Sequence, residues 1–261
     1  MILIGTLAAN QLAPFDPQFI NPRMRMVAPL GNSRIDTFHL LGTDQAGRDI
    51  LSRILYGGRI SLGVSGTAAL LALIVGLWLG LIAGYYGGWL DGLIMRVADV
   101  QLAIPTILLA IAIATALGSS IPNLILTLAI SSCVIFARTV RATALLLREL
   151  AYVEAARCIG APDLRILLLH VLRNSWTPII VVATQQIALL ITLESSLSFL
   201  GLGAPAGTPS WGTMVAEGRD YMMTDAWWLA AFPGLAISLT VLAINFLGDG
   251  IRDVLDPRLR M

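Results

Sequence analysis

SLGVSGTAALLALIVGLWLGLIAGY, residues Ser61 to Tyr85, contains no charged side chain, and neither does the whole interval between Arg59 and Asp91. Lipid offers the backbone no hydrogen-bond partner, so a crossing segment closes its own bonds as a helix of roughly 20 mostly apolar residues. This stretch is long enough. The chain as a whole agrees with it: of 261 residues, 57% are hydrophobic and 13% charged, against about half and about a quarter in soluble domains. The reading is an all-α polytopic membrane protein.

Outward from that span, the uncharged run between Asp99 and Arg138 is too long for one helix, and Gly118-Ser119-Ser120-Ile121-Pro122-Asn123 supplies a turn. Two spans are expected there, Val100 to Leu117 and Ile121 to Ala137. Pro178 to Leu200, interrupted by Glu194, and Ala226 to Leu247 complete the set. Met1 to Ala13 is apolar but stops at Pro14, short of the roughly 17 residues a span requires, and has no basic leader. It reads as the outer part of a shortened first span, with a cleaved or interfacial segment as the alternative. The expected organisation is one transmembrane domain, 1–261, of about six spans. It comprises a partial span (1–13), an outer loop with an amphipathic helix (14–59), spans two to four (60–137), a cytoplasmic loop (138–177), spans five and six (178–247) and a cytoplasmic tail (248–261).

Arginine sets the orientation. Arg138, Arg141, Arg148, Arg157, Arg165 and Arg173 crowd one loop, and Arg252, Arg258 and Arg260 the tail, which places both in the cytoplasm. All 17 basic residues are Arg. Without Lys there is no lysine Schiff base, Ser-Lys dyad or Walker A lysine, so ATP chemistry would have to come from a partner. His39, His170, Cys133 and Cys158 show no metal-ligand spacing, so no metal or cofactor is expected. A net charge of +1 gives no reason to expect nucleic acid.

The loop 138–177 is patterned. Leu164, Leu167, Leu168, Val171 and Leu172 form an amphipathic stripe. Glu149 to Ile159 is helix-compatible, Gly160 sits where a left-handed C-cap would end it, and Pro162 suits the first turn of a second helix. A helix, sharp turn, helix unit is predicted.

Within it, Glu154-Ala155-Ala156 and, three residues on, Gly160 resemble the signature of permeases from binding-protein-dependent ABC importers. Leu41-Gly42-Thr43-Asp44-Gln45-Ala46-Gly47-Arg48-Asp49, Leu197-Ser198-Phe199-Leu200-Gly201-Leu202-Gly203, Pro209-Ser210-Trp211-Gly212 and the tail from Gly248 to Arg258 resemble, in order, segments of the second (C-type) permease subunit of dipeptide, oligopeptide and nickel importers. The resemblance implies a non-enzymatic subunit of a bacterial cytoplasmic membrane importer of short peptides, forming half of the path. It implies as partners a second homologous permease, two cytoplasmic ATP-binding subunits that grip a coupling helix carrying Glu154, Ala155, Ala156 and Gly160, an extracytoplasmic solute-binding protein, and the lipid bilayer. Arg173 stands where the family pattern has Pro, so a helix is expected to run through that bend.

Glu194 is the one acid deep in an apolar run, which makes it a functional candidate. With Ser195 and Ser198 it is assigned either to the translocation path or gate, or to positioning the Gly-rich segment that follows. Thr43 or Asp44 can cap a short outer helix with Ile50, Leu51, Ile54 and Leu55 on one face and Arg48, Asp49 and Arg53 on its polar side. Asp44, Arg48, Asp49 and Arg53 are candidates for docking the solute-binding protein, or for an interfacial anchor. Trp211, Trp227 and Trp228 suit an interfacial belt, and Asp91, Arg96 and Asp99 suit solvated helix ends. Two rival readings are a secondary transporter, for which Glu194 is the sole coupling acid, and an intramembrane serine protease using Ser65, for which neither His lies in a span.

Overall fold

The computed structural model describes residues 5–6, 8–32, 37–205 and 207–255. The end of the tail motif, from residue 256, and part of the first apolar segment lie outside them. After a one-turn helix α1 (Ala9–Leu12) comes a small antiparallel ribbon, β1 (Gly31–Asn32) and β2 (Phe38–His39), with Gly31 opposite His39. Among the described residues nine helices follow: α2 (Ile50–Tyr86), α3 (Gly88–Ala103), α4 (Thr106–Leu117), α5 (Ile121–Leu147), α6 (Ala151–Cys158), α7 (Asp163–Ile166), α8 (Trp176–Phe199), α9 (Trp211–Arg219) and α10 (Trp228–Leu255). A π-helical segment, Leu167–Leu172, continues α7. Among the described residues α2, α5, α8 and α10 are each long and apolar enough to cross a membrane, and the bent pair α3 and α4 would make a fifth span.

Three expectations are corrected. The short outer helix and the second span are one helix, α2, of 37 residues, roughly 55 Å long. Its start is capped by Asp49 rather than Thr43 or Asp44, because the Asp49 carboxylate accepts from both the backbone N–H and the hydroxyl of Ser52, each at 2.8 Å. The expected span Val100 to Leu117 is broken by Pro105, which has no N–H to donate and pushes Ile104 to an extended conformation (φ −98°, ψ 128°), so α3 and α4 meet at 96°. Of the three Trp residues assigned to a belt, Trp211 and Trp228 are buried and donate their indole N–H to Ile54 O (2.9 Å) and Thr43 O (3.3 Å), and only Trp227 is exposed.

The chain divides into two compact units, Met1–Gly66 with Ile111–Ile125 and Ala188–Ala243, and Thr67–Ala110 with Leu126–Ile187 and Ile244–Met261. The first has a core of Ile50, Ile54, Trp211, Met214, Trp228 and Leu229. In the second, α2 lies against α5 along Gly76, Gly80 and Gly84. A Cβ at Gly80 would come 2.5 Å from Ala137 O, and one at Gly84 2.6 Å from Ala144 Cβ. Backbones this close need small residues at every fourth position.

Candidate functional site

In the second unit, the predicted helix, turn, helix is α6, Gly160 and α7. Gly160 takes φ +79°; its N–H bonds to Arg157 O (2.9 Å) and that of Ala161 to Ala156 O (3.0 Å), a Schellman ending. Pro162 falls one position earlier than expected, immediately before α7, where its carbonyl accepts from Arg165 N at 2.9 Å. Val153 and Ala156 turn inward and join Ile166, Leu167 and Val171 against Leu81 and Tyr85 of α2, Val140 and Ala144 of α5 and Ile179 of α8. Each large side chain buried there stabilises the seat by about 1.5–3 kcal/mol. Glu154, Ala155, Cys158 and Gly160 face outward, and Ile159 is 84% exposed.

Ala156, only 7% exposed, therefore belongs to the chain's own core and is not part of a thin outer face. The predicted stripe is corrected too: Leu164 and Leu168 are exposed while Ile166, Leu167 and Val171 are buried, because the wider π turn rotates the register. The chain stays helical through Arg173 and Asn174 and is interrupted only at Ser175. Asn174 donates to His170 O (2.7 Å) and Tyr152 OH (3.1 Å).

In the first unit, Asp44, Asp49 and Arg53 are buried and Arg48 partly so, against the expectation of a solvated polar side. Asp44 accepts from the backbone of Ala46 (2.8 Å) and Arg48 (2.9 Å), from Arg48 Nε (2.6 Å) and from Arg53 Nη1. Glu217 of α9 completes the cluster, accepting from Arg53 (2.8 Å) and Arg48 (3.1 Å). Two guanidiniums balance two carboxylates, which is what lets the polar side pack. Asp49 also accepts from His39 Nδ1 at 3.0 Å, so that nitrogen carries the proton.

Glu194 is fully buried in the same unit. Ser198 Oγ donates to it at 2.8 Å and Ser195 Oγ at 3.4 Å, and the hydroxyls of Ser61 and Ser210 lie close enough to interact with it. It thereby ties α8 to α2 and to the start of α9, whose Ser210 and Thr213 form a capping box. Gly201 ends α8 with the same Schellman pattern as Gly160, Leu202 N reaching Leu197 O at 2.9 Å. Among the described residues Ser65 Oγ is buried with no hydrogen-bond partner.

Several residues escaped the sequence reading. Glu217 gave no local signal. The Gly76, Gly80, Gly84 stripe was visible as small residues four apart. Asp91 is a partly covered ion pair, accepting from Arg141 Nη2 at 2.6 Å, whereas Asp99, paired with Arg138, and Arg96 are exposed as expected.

The chain matches the family described as binding-protein-dependent transport system inner membrane component over residues 76–261. It is 47% identical over 265 residues to a putative peptide transport system permease protein of Brucella abortus, covering 100% of this chain and 86% of that one. It is 46% identical to a glutathione transport system permease protein of Pectobacterium atrosepticum (97% and 82% covered) and 46% identical to a dipeptide transport system permease protein of Alkalihalophilus pseudofirmus (92% and 77%). Among solved structures, an inward-facing methionine ABC transporter superposes with a TM-score of 0.63 at 18% identity, covering 78% of this chain and 96% of that one.

Proposed function

The chain belongs to the family of binding-protein-dependent transport system inner membrane components, and on that premise we propose that it is the permease subunit of an ATP-driven importer of short peptides. The names of its relatives support the peptide class. In this reading it pairs with a second homologous permease to enclose the path, two cytoplasmic subunits supply ATP hydrolysis, and an external binding protein delivers solute. No bond of the solute is broken by this subunit.

One observation carries the coupling role: α6 buries Val153 and Ala156 while presenting Glu154, Ala155 and Ile159 outward. An ATPase that seats on the outer face pushes a rigid body, because the inner face is packed against α2, α5 and α8. Close approach suits the small Ala155, and Glu154 offers a carboxylate to partner donors. Gly160 serves the turn, its φ of +79° lying where an L side chain is strained. Glu194, Ser195 and Ser198 act as scaffold for the start of α9 and not as path lining. The four docking candidates act as scaffold in this reading, since Asp44, Asp49 and Arg53 are enclosed and Arg48 is paired with Asp44 and Glu217.

Reconstituting the complex with Ala155→Arg tests the coupling role. Peptide uptake should fall by an order of magnitude or more while the protein keeps its Tm; uptake at the unmodified rate would remove α6 from the coupling path.

A further inference from the structure

Where α2 ends in the second unit, a cleft of about 490 Å³ is lined by Tyr85, Tyr86, Arg148, Glu149, Arg157 and Asp163. Its charges are loosely used. Arg157 lies over the Tyr85 ring at 5.1 Å, and among the described residues it forms no ion pair. Arg148 donates to Gly84 O (3.1 Å) and meets Glu149 only at 3.6 Å. Asp163 accepts from Tyr85 OH on Oδ1 at 2.6 Å, which leaves Oδ2 for another donor.

The depth of the cleft is set by sequence. It opens at the end of a 37-residue apolar helix, at Tyr86, and three residues along the chain Trp89 is 75% exposed; amphipathic rings of this kind sit at headgroup level. Two guanidiniums facing two carboxylates complement a zwitterion better than a bare anion, since a lone phosphate would also meet Glu149 and Asp163. Guanidinium is the group suited to phosphate, and carboxylates suit an N–H-bearing ammonium.

We propose that this cleft holds the headgroup of a membrane phospholipid carrying both a phosphate and a primary ammonium, the phosphate between Arg148 and Arg157 and the ammonium toward Asp163 and Glu149. Such a lipid joins the ends of α2 and α5 to α6 and α7. The site stands independently of the transport reading, because its occupancy is measured without transport.

The test is native mass spectrometry of the full chain, extracted with its membrane partners and exchanged against vesicles of phosphatidylethanolamine, phosphatidylcholine or phosphatidylglycerol. Phosphatidylethanolamine should be retained selectively, inorganic phosphate should not displace it, and Arg157→Gln or Arg148→Gln should each weaken retention about tenfold, the worth of one charge-assisted hydrogen bond. Equal retention of the choline or glycerol lipid, displacement by inorganic phosphate, or full retention in both variants would overturn the proposal. Should a variant fail to fold, the ethanolamine and choline lipids on the unmodified chain still decide, since they share the phosphate and differ in N–H donors.

Discussion

The two regions that the sequence marks as functional are built in opposite ways. Around Asp44, Arg48, Arg53 and Glu217, charge is turned inward and neutralised within the chain. Around α6, apolar side chains are turned inward and Glu154, Ala155 and Ile159 outward. A motif rich in charge is therefore not by itself a recognition surface; where its charges satisfy one another it is scaffold, and a plainer helix with an anchored inner face has the free surface.

The strongest way to break this contrast is Arg53→Ala. It strands the buried Asp44 carboxylate beside fewer donors and should cost about 3–5 kcal/mol, the penalty for breaking a buried pair, read as loss of yield and a lower Tm in detergent. An unchanged Tm would mean that the cluster is not scaffold. Gly80→Leu comes next: with Ala137 O so close, overpacking should cost about 1–3 kcal/mol, while Gly92→Ala, with nothing near its Cβ position, should leave Tm nearly unchanged. Glu194→Ala leaves the bonded serine hydroxyls without their acceptor and should cost about 1–3 kcal/mol. Glu194→Gln keeps an acceptor and should cost less; if it instead keeps Tm but changes which peptides are taken up, Glu194 lines the path. Smallest in stability is Ala155→Arg, an exposed change expected within about 0.5 kcal/mol that nonetheless stops uptake.

What could be read from sequence was local. The span cores followed from uncharged length, and the α6 ending followed from Gly160, because a helix face and a C-cap are written within a few residues. The break at Pro105 was equally local but hidden by a reading based on charge, in which Pro in an apolar run leaves no mark. The outer cluster was not legible, since Arg53 and Glu217 are 164 residues apart and nothing near either residue names the other. For the same reason Trp211 read as an interfacial ring: its partner, Ile54 O, is 157 residues away. The inward turn of Ala156 was unreadable for a different reason, as two adjacent alanines carry no hydrophobic contrast to say which one faces the core.

That pair of alanines offers the most direct test of the central claim, that α6 is the face on which the ATPase seats. A photo-reactive side chain placed at position 155, and separately at 156, in the assembled complex should cross-link to the ATP-binding subunit from 155 and only within this chain from 156. Absence of an ATPase adduct from 155, or an adduct with the external binding protein, would contradict the account.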